Sequence, residues 1–294
     1  QWVVQLPSLS VTLPSAGQVL GPVELQASIG EASGLVPNSL GSINARIEQV
    51  GDAFDISAEL TRLPADIWHV VRARLPELPI EAMQGRISGK LAGQVTDADN
   101  WKVAAEELTA QGVRVSAASL LGPEPAMLDS LAASVVAQLA DRRLMIDGAQ
   151  LVCDFGNAQA SGSLPWPVTI PSAADPFING GTCQIQGTVD LPKLVKAAAS
   201  LIPVREGTQL HSGTAQFALN QTLDDQQSPR ARATLTVSGL SGIAAGQSLE
   251  WTEPFAVELS ASRPEGGLQL TAAAKAEFVN LQANGTISQG NVDG

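Results

Sequence analysis

The sequence predicts a mainly β protein built of duplicated antiparallel meander units, each carrying one short helix. Three observations carry that expectation: apolar residues recur with period two over most of the chain, a unit of about 125 residues occurs twice, and only two stretches show helical spacing. A meander with one apolar face must cover that face. One helix of about three turns per unit is too small to do so. The expected form is therefore a curved, groove-like sheet lined by Ala, Val and Leu, and the alternative is a set of closed β-sandwich repeats.

The alternation is clearest near the C-terminal end. Phe255, Val257, Leu259 and Ala261 share one phase, and Ala256, Glu258 and Ser260 the other. Leu268, Leu270, Ala272, Ala274, Ala276 and Phe278 continue the pattern after Arg263-Pro264-Glu265-Gly266-Gly267, which reads as a hairpin turn. Ala231, Ala233, Leu235 and Val237 alternate with Arg230, Arg232, Thr234 and Thr236. In the first copy, Leu144 and Ile146 follow the turn Ala140-Asp141-Arg142-Arg143.

The repeat rests on ordered matches. Residues Asp154–Leu164 align with Glu277–Ile287, with five of eleven positions identical and three conservative. Leu108–Val113 aligns with Leu235–Leu240, Leu63-Pro64 with Leu191-Pro192, and Leu75-Pro76 with Ile202-Pro203, at offsets between 123 and 128. Copy one is assigned to residues 54–170 and copy two to 183–294. A Pro-rich stretch opens at Pro165, and residues 171–182 form the linker between the copies. Residues 1–53 form a partial preceding β unit, with strand-like pieces at Val23–Ala27 and Ile43–Ile47.

Each Leu-Pro opens a helix, since proline is tolerated where the first-turn N–H lacks a partner. Ile67, Val70, Val71 and Leu75 make the first apolar stripe, and Leu194, Val195, Ala198, Leu201 and Ile202 the second. Pro76 and Pro203 are expected to end them.

Composition restricts the function. With 17 basic and 29 acidic residues the net charge is −12, which disfavours nucleic acid and simple docking to anionic lipid headgroups. Aromatics are 4% of residues and Tyr is absent, so stacking on sugars or bases is poorly supplied. No run of apolar residues is long enough to span a bilayer as a helix; the longest, around Leu194–Val204, is broken by Ser200 and Pro203. Gln1 opens the chain in place of Met, which suggests a processed chain or an excised piece.

No catalytic pattern is present. His69 and His211 occupy non-equivalent positions of the repeat without a surrounding motif. Trp68 lies beside the first helical stripe, a rim residue or a contact surface, and Lys196 is its counterpart. Glu106 and Glu107 are neighbours in a strand and are expected to face opposite sides, which rules out an acid–base pair. Asp97-Ala98-Asp99-Asn100 and Asp224-Asp225-Gln226-Gln227 offer oxygens suited to calcium but lack the EF-hand glycine and distal glutamate. They read as solvated hairpin turns. Asn220-Gln221-Thr222 and Asn284-Gly285-Thr286 match the glycosylation acceptor pattern. Cys153 and Cys183 are two small hydrophobes or, in an oxidising compartment, one disulfide. No metal, cofactor or enzyme activity is expected.

Short alternating strands, Gly-punctuated turns and stretches such as Gly85-Arg86-Ile87-Ser88-Gly89-Lys90-Leu91-Ala92-Gly93 resemble the AsmA-like and TamB-like bacterial envelope proteins. The resemblance implies a periplasmic segment, a membrane anchor outside this chain and envelope protein partners. It also implies lipid as the ligand, with a role in moving phospholipid between membranes or in outer-membrane assembly. The residues expected to line the groove are Leu235, Val237, Phe255, Val257, Leu259, Leu268, Leu270 and Phe278. A structural or adhesive β-sandwich spacer is the alternative.

Overall fold

A computed structural model describes residues 2–11, 22–31, 38–67, 69, 72–73, 80–168, 177–198, 207–264, 267–276 and 279–288. Strands account for 76% of the described residues, far above the roughly 20–25% usual in globular proteins. Among the described residues no helical layer exists on that scale, and the sheet is open and antiparallel. The closed-sandwich alternative is thereby set aside.

The chain divides into two compact units. The first comprises Gln1–Asp141, Asp147–Asp154 and Ala197–Pro203, and the second Arg142–Ile146, Phe155–Lys196 and Val204–Gly294. Strand β8 (Arg143–Cys153) is thus shared between them.

The first unit contains β1 (Trp2–Val11), β2 (Val23–Glu31), β3 (Asn38–Val50), β4 (Ala53–Pro64), β5 (Ala82–Asp97), β6 (Asn100–Ser116) and β7 (Ala126–Ala140). They hydrogen-bond in chain order. Period-two residues meet across the ladders, so that Leu25, Ala45, Ala58, Leu91, Ala105 and Val135 form one cross-strand row. Gln26, Asn44, Glu59, Lys90 and Glu106 form a row on the opposite face.

The second unit contains β9 (Gly156–Pro165), β10 (Thr182–Asp190), β11 (Thr208–Leu223), β12 (Pro229–Ala244), β13 (Gln247–Glu250), β14 (Phe255–Ser262), β15 (Gly267–Ala276) and β16 (Val279–Ser288). These too follow one another, except that β13 and β14 both pair with β12. β5 and β11 are 16 residues each, and β9 and β16 are 10 each, with starts 126 and 123 apart. The elements therefore recur at the offsets of the sequence matches.

The second helix is shorter than the spacing suggested. After Pro64 comes a 3-10 turn at Ala65–Ile67, and positions 69, 72 and 73 are helical; Trp68, Val70, Val71, Leu75 and Pro76 lie outside the described residues. A four-residue helix, α1 (Ala118–Leu121), was not foreseen. Helix α2 (Leu191–Ala197) has two turns and stops before Pro203, and Ala198 directly after it is buried. The Asp190 carboxylate accepts the Lys193 N–H at 3.0 Å, which caps the start of α2.

Alternation is interrupted at bulges. Glu107 has φ 52°, and the β6 register shifts between Ala105 and Leu108. The expectation that Glu106 and Glu107 simply face apart is corrected: Lys90 stands opposite Glu106 in the ladder and also pairs with Glu107 at 3.3 Å. Gly112 and Gly239, matched across the repeat, have φ 57° and 61°, where a Cβ would meet nothing but would strain the backbone.

Candidate functional site

In the second unit the ladders assemble one apolar face. Phe217, Leu235, Val257, Ala274 and Leu281 form a row across β11, β12, β14, β15 and β16. The next row is Leu219, Ala233, Leu259, Ala272 and Ala283, followed by Gln221, Ala231, Ala261, Leu270 and Gly285. Val237 stands opposite Phe255 beyond the first row. Of the expected groove residues, Leu235, Val237, Phe255, Val257, Leu259, Leu268 and Leu270 thus share one face; Phe278 lies outside the described residues.

That face is not a packed interior. Leu235, Phe255, Leu259 and Leu270 are 37%, 38%, 49% and 38% exposed, and Val237, Val257 and Leu268 are half-buried. The opposite face carries Gln216, Thr236 and Lys275 in one row and Asn220, Arg232, Ser260, Thr271 and Asn284 in another. An Arg232–Glu258 ion pair at 2.9 Å lies on this polar face. Its side chains also line two troughs of about 360 and 590 Å³, one around Gln186 and Gln216 and the other around Arg230 and Thr271. In the first unit a trough of about 650 Å³ lies among Glu24, Arg46, Glu59 and Lys90, again on the polar side.

The apolar face of the second unit ends at a loop that sequence reasoning missed. Gln221 falls in the apolar phase of β11 and is 4% exposed. Its Nε2 donates to the carbonyls of Ile178 at 2.7 Å and Gly181 at 2.8 Å, and its Oε1 accepts the Ile178 N–H at 3.1 Å. Every polar atom of the amide is engaged, which offsets its burial. Phe177 is 2% exposed, with the Arg263 guanidinium 5.3 Å from its ring centroid. Arg143 donates to the carbonyls of Gly180 and Ser163 at 3.1 and 3.3 Å. The signal available in the sequence was a glutamine between Leu219 and Leu223, where the pattern calls for an apolar residue.

Glycines shape the same surface where strands come close. A Cβ on Gly187 would lie 2.3 Å from the Asn157 carbonyl and 2.6 Å from the Phe217 ring. A Cβ on Gly213 would meet Leu240 and Leu191, which brings the first residue of α2 against β11.

Candidate chemistry elsewhere is placed in turns and on the surface. Asp97 accepts the Asp99 N–H at 2.8 Å and the Asn100 amide at 2.9 Å, and these bonds hold its carboxyl below the usual range. Asp224 accepts the Ser228 and Gln226 N–H groups at 2.9 and 3.0 Å and pairs with Arg230; the Ser228 bond leads in lowering its carboxyl. Both acidic runs are hairpin turns whose first carboxylate serves the backbone. Among the described residues no three His, Cys, Asp or Glu side chains cluster as a metal site. Cys153 and Cys183 are both free thiols, and burial pushes the Cys183 thiol up. His69 and His211 are exposed. No helix among the described residues is long and apolar enough to cross a membrane.

No family model, curated protein or solved structure matches the chain.

Proposed function

We propose that the protein is a non-enzymatic module of the bacterial cell envelope that holds lipid acyl chains against its apolar sheet face. In this reading it works in the periplasm, supporting phospholipid movement between membranes or outer-membrane assembly. The observation that carries it is the half-exposed apolar face in which Leu235, Phe255, Leu259 and Leu270 stand together. A surface of this kind is rarely left bare, because each apolar square ångström in water costs about 25 cal/mol.

Dimensions favour a chain-like ligand. Strands lie about 4.8 Å apart, so a row crossing five of them is about 19 Å long. One leaflet's acyl chain occupies about 15 Å, half of a hydrocarbon core of roughly 30 Å. Each methylene transferred from water contributes about 0.8 kcal/mol, so binding needs neither charge nor a deep pocket. The net charge of −12 fits contact with acyl chains better than with anionic headgroups. Native mass spectrometry and lipid extraction of the purified chain test the proposal. Co-purifying phospholipid or fatty acid supports it, and a lipid-free chain that also fails to take up phospholipid from vesicles refutes it.

A further inference from the structure

We propose that the free edge of β16 is a docking edge for an antiparallel strand of β10's chemistry, the opening strand of a further copy of the repeat. This goes beyond the lipid reading and does not depend on it.

The repeat shows what such an edge accepts. β9 and β16 are equivalent strands of ten residues, and Asn157, Gln159, Ala160 and Gly162 recur as Asn280, Gln282, Ala283 and Gly285. On its outer side β9 pairs with β10 from Ser163 opposite Thr182 to Gly156 opposite Val189. β16 pairs with β15 and, among the described residues, with no second strand.

β16 also carries a glycine whose equivalent in β9 is crowded by the neighbouring strand. Gly162 is crowded by β10: a Cβ there would lie 2.4 Å from the Thr182 carbonyl oxygen and 3.0 Å from the Cys183 Cα. Gly285 keeps the same residue, yet a Cβ there would meet nothing within 4 Å. Glycine weakens a strand interior unless another backbone approaches closely. Its place in β16 matches an incoming strand at the spacing seen between β9 and β10.

The edge lacks the usual protection as well. Val-Asn-Leu-Gln-Ala-Asn-Gly-Thr-Ile-Ser contains no charge and no proline, and positions 279–286 are all exposed. Natural sheets guard exposed edges with lysine, proline or bulges. The incoming strand would resemble β10, with Ile185 and Val189 in its apolar phase and Gln184, Gln186 and Thr188 in its polar phase. One difference limits the register. Val279 replaces Gly156, whose Cβ position is 2.2 Å from the Thr188 oxygen, so pairing runs along 280–286 and diverges before Val279.

The test uses the whole chain and a fluorescent synthetic peptide with the sequence of residues 181–198, read by anisotropy. Saturable binding is expected, with a peptide of residues 2–11 as the control strand. Gly285→Val places a branched side chain where the incoming backbone must pass and should weaken peptide binding at least about tenfold. The variant itself should fold as the parent does, because the space is open and valine favours strands; an unchanged urea transition checks this. Absent binding, equal binding of the control peptide, or affinity unchanged by Gly285→Val in a normally folded variant overturns the proposal.

Discussion

Truncating two leucines of the second unit separates an open face from a packed core. Leu164 is 9% exposed and Leu259 is 49% exposed. Burying a leucine side chain fully contributes about 1.5–3 kcal/mol, and truncating a packed one to alanine costs about 2–5 kcal/mol once the cavity is included. Leu164→Ala should fall in that range. At Leu259 solvent already reaches half of the side chain, and no enclosed cavity can form, so Leu259→Ala should cost about 1 kcal/mol or less. Urea unfolding of the delipidated chain, followed by circular dichroism with a shared slope, reads the difference as two midpoints. The first variant should unfold at clearly lower urea, the second close to the parent. Equal losses of several kcal/mol would falsify the open face, since Leu259 would then be held by protein packing.

Three further outcomes follow from individual contacts. Gly187→Val should destabilise by about 1–3 kcal/mol in thermal unfolding, because the Asn157 backbone and the Phe217 ring occupy the space a side chain needs. Gln221→Ala strips partners from the Ile178 N–H and from the carbonyls of Ile178 and Gly181, at about 1–3 kcal/mol for a buried group left unpaired. Hydrogen exchange should rise at residues 177–181 and stay unchanged in β14 and β15; unchanged exchange at the loop would refute the latch. The third outcome concerns Asp224, whose carboxyl is held low by the Ser228 and Gln226 N–H groups and by Arg230. Its contribution is therefore present above the ordinary carboxylate range and is lost as pH falls through its lowered value. Chemical shifts of residues 224–228 should move below pH 4 with an inflection under that of an unfolded-chain aspartate, and an inflection at or above it contradicts the contact.

Period-two alternation was enough to place β12, β14 and β15 and to put seven groove residues on one face. Strand pairing carries a residue's phase to its neighbour, so a correct phase in each strand gives a correct face. The turn at Asp141 and Arg142 was legible as a charged break between apolar segments, and both residues there adopt positive φ, 51° and 56°, as a tight hairpin requires. Helix lengths were less legible. The stripe Leu194, Val195, Ala198 fits a longer helix, but α2 stops at Ala197 although the first proline that could end it is Pro203. Bulges escaped for a related reason: Glu107 is an ordinary strand residue in every pattern, and its φ of 52° sits where β6 slips register against both β5 and β7. The Phe177 loop also escaped, because its partners Gln221, Arg143 and Arg263 come from three distant segments.

Neighbouring residues of β14 give the sharpest test of lipid on the apolar face. Leu259 pairs with Ala233 and Ala272, while Ser260 pairs with Arg232 and Thr271 on the other side of the same strand. A photoreactive phenylalanine analogue is placed at each position in turn, and the chain is irradiated with radiolabelled phospholipid vesicles. Adducts should form at position 259 and not at position 260. Equal labelling at both positions, or none at 259, contradicts an acyl chain lying on that face.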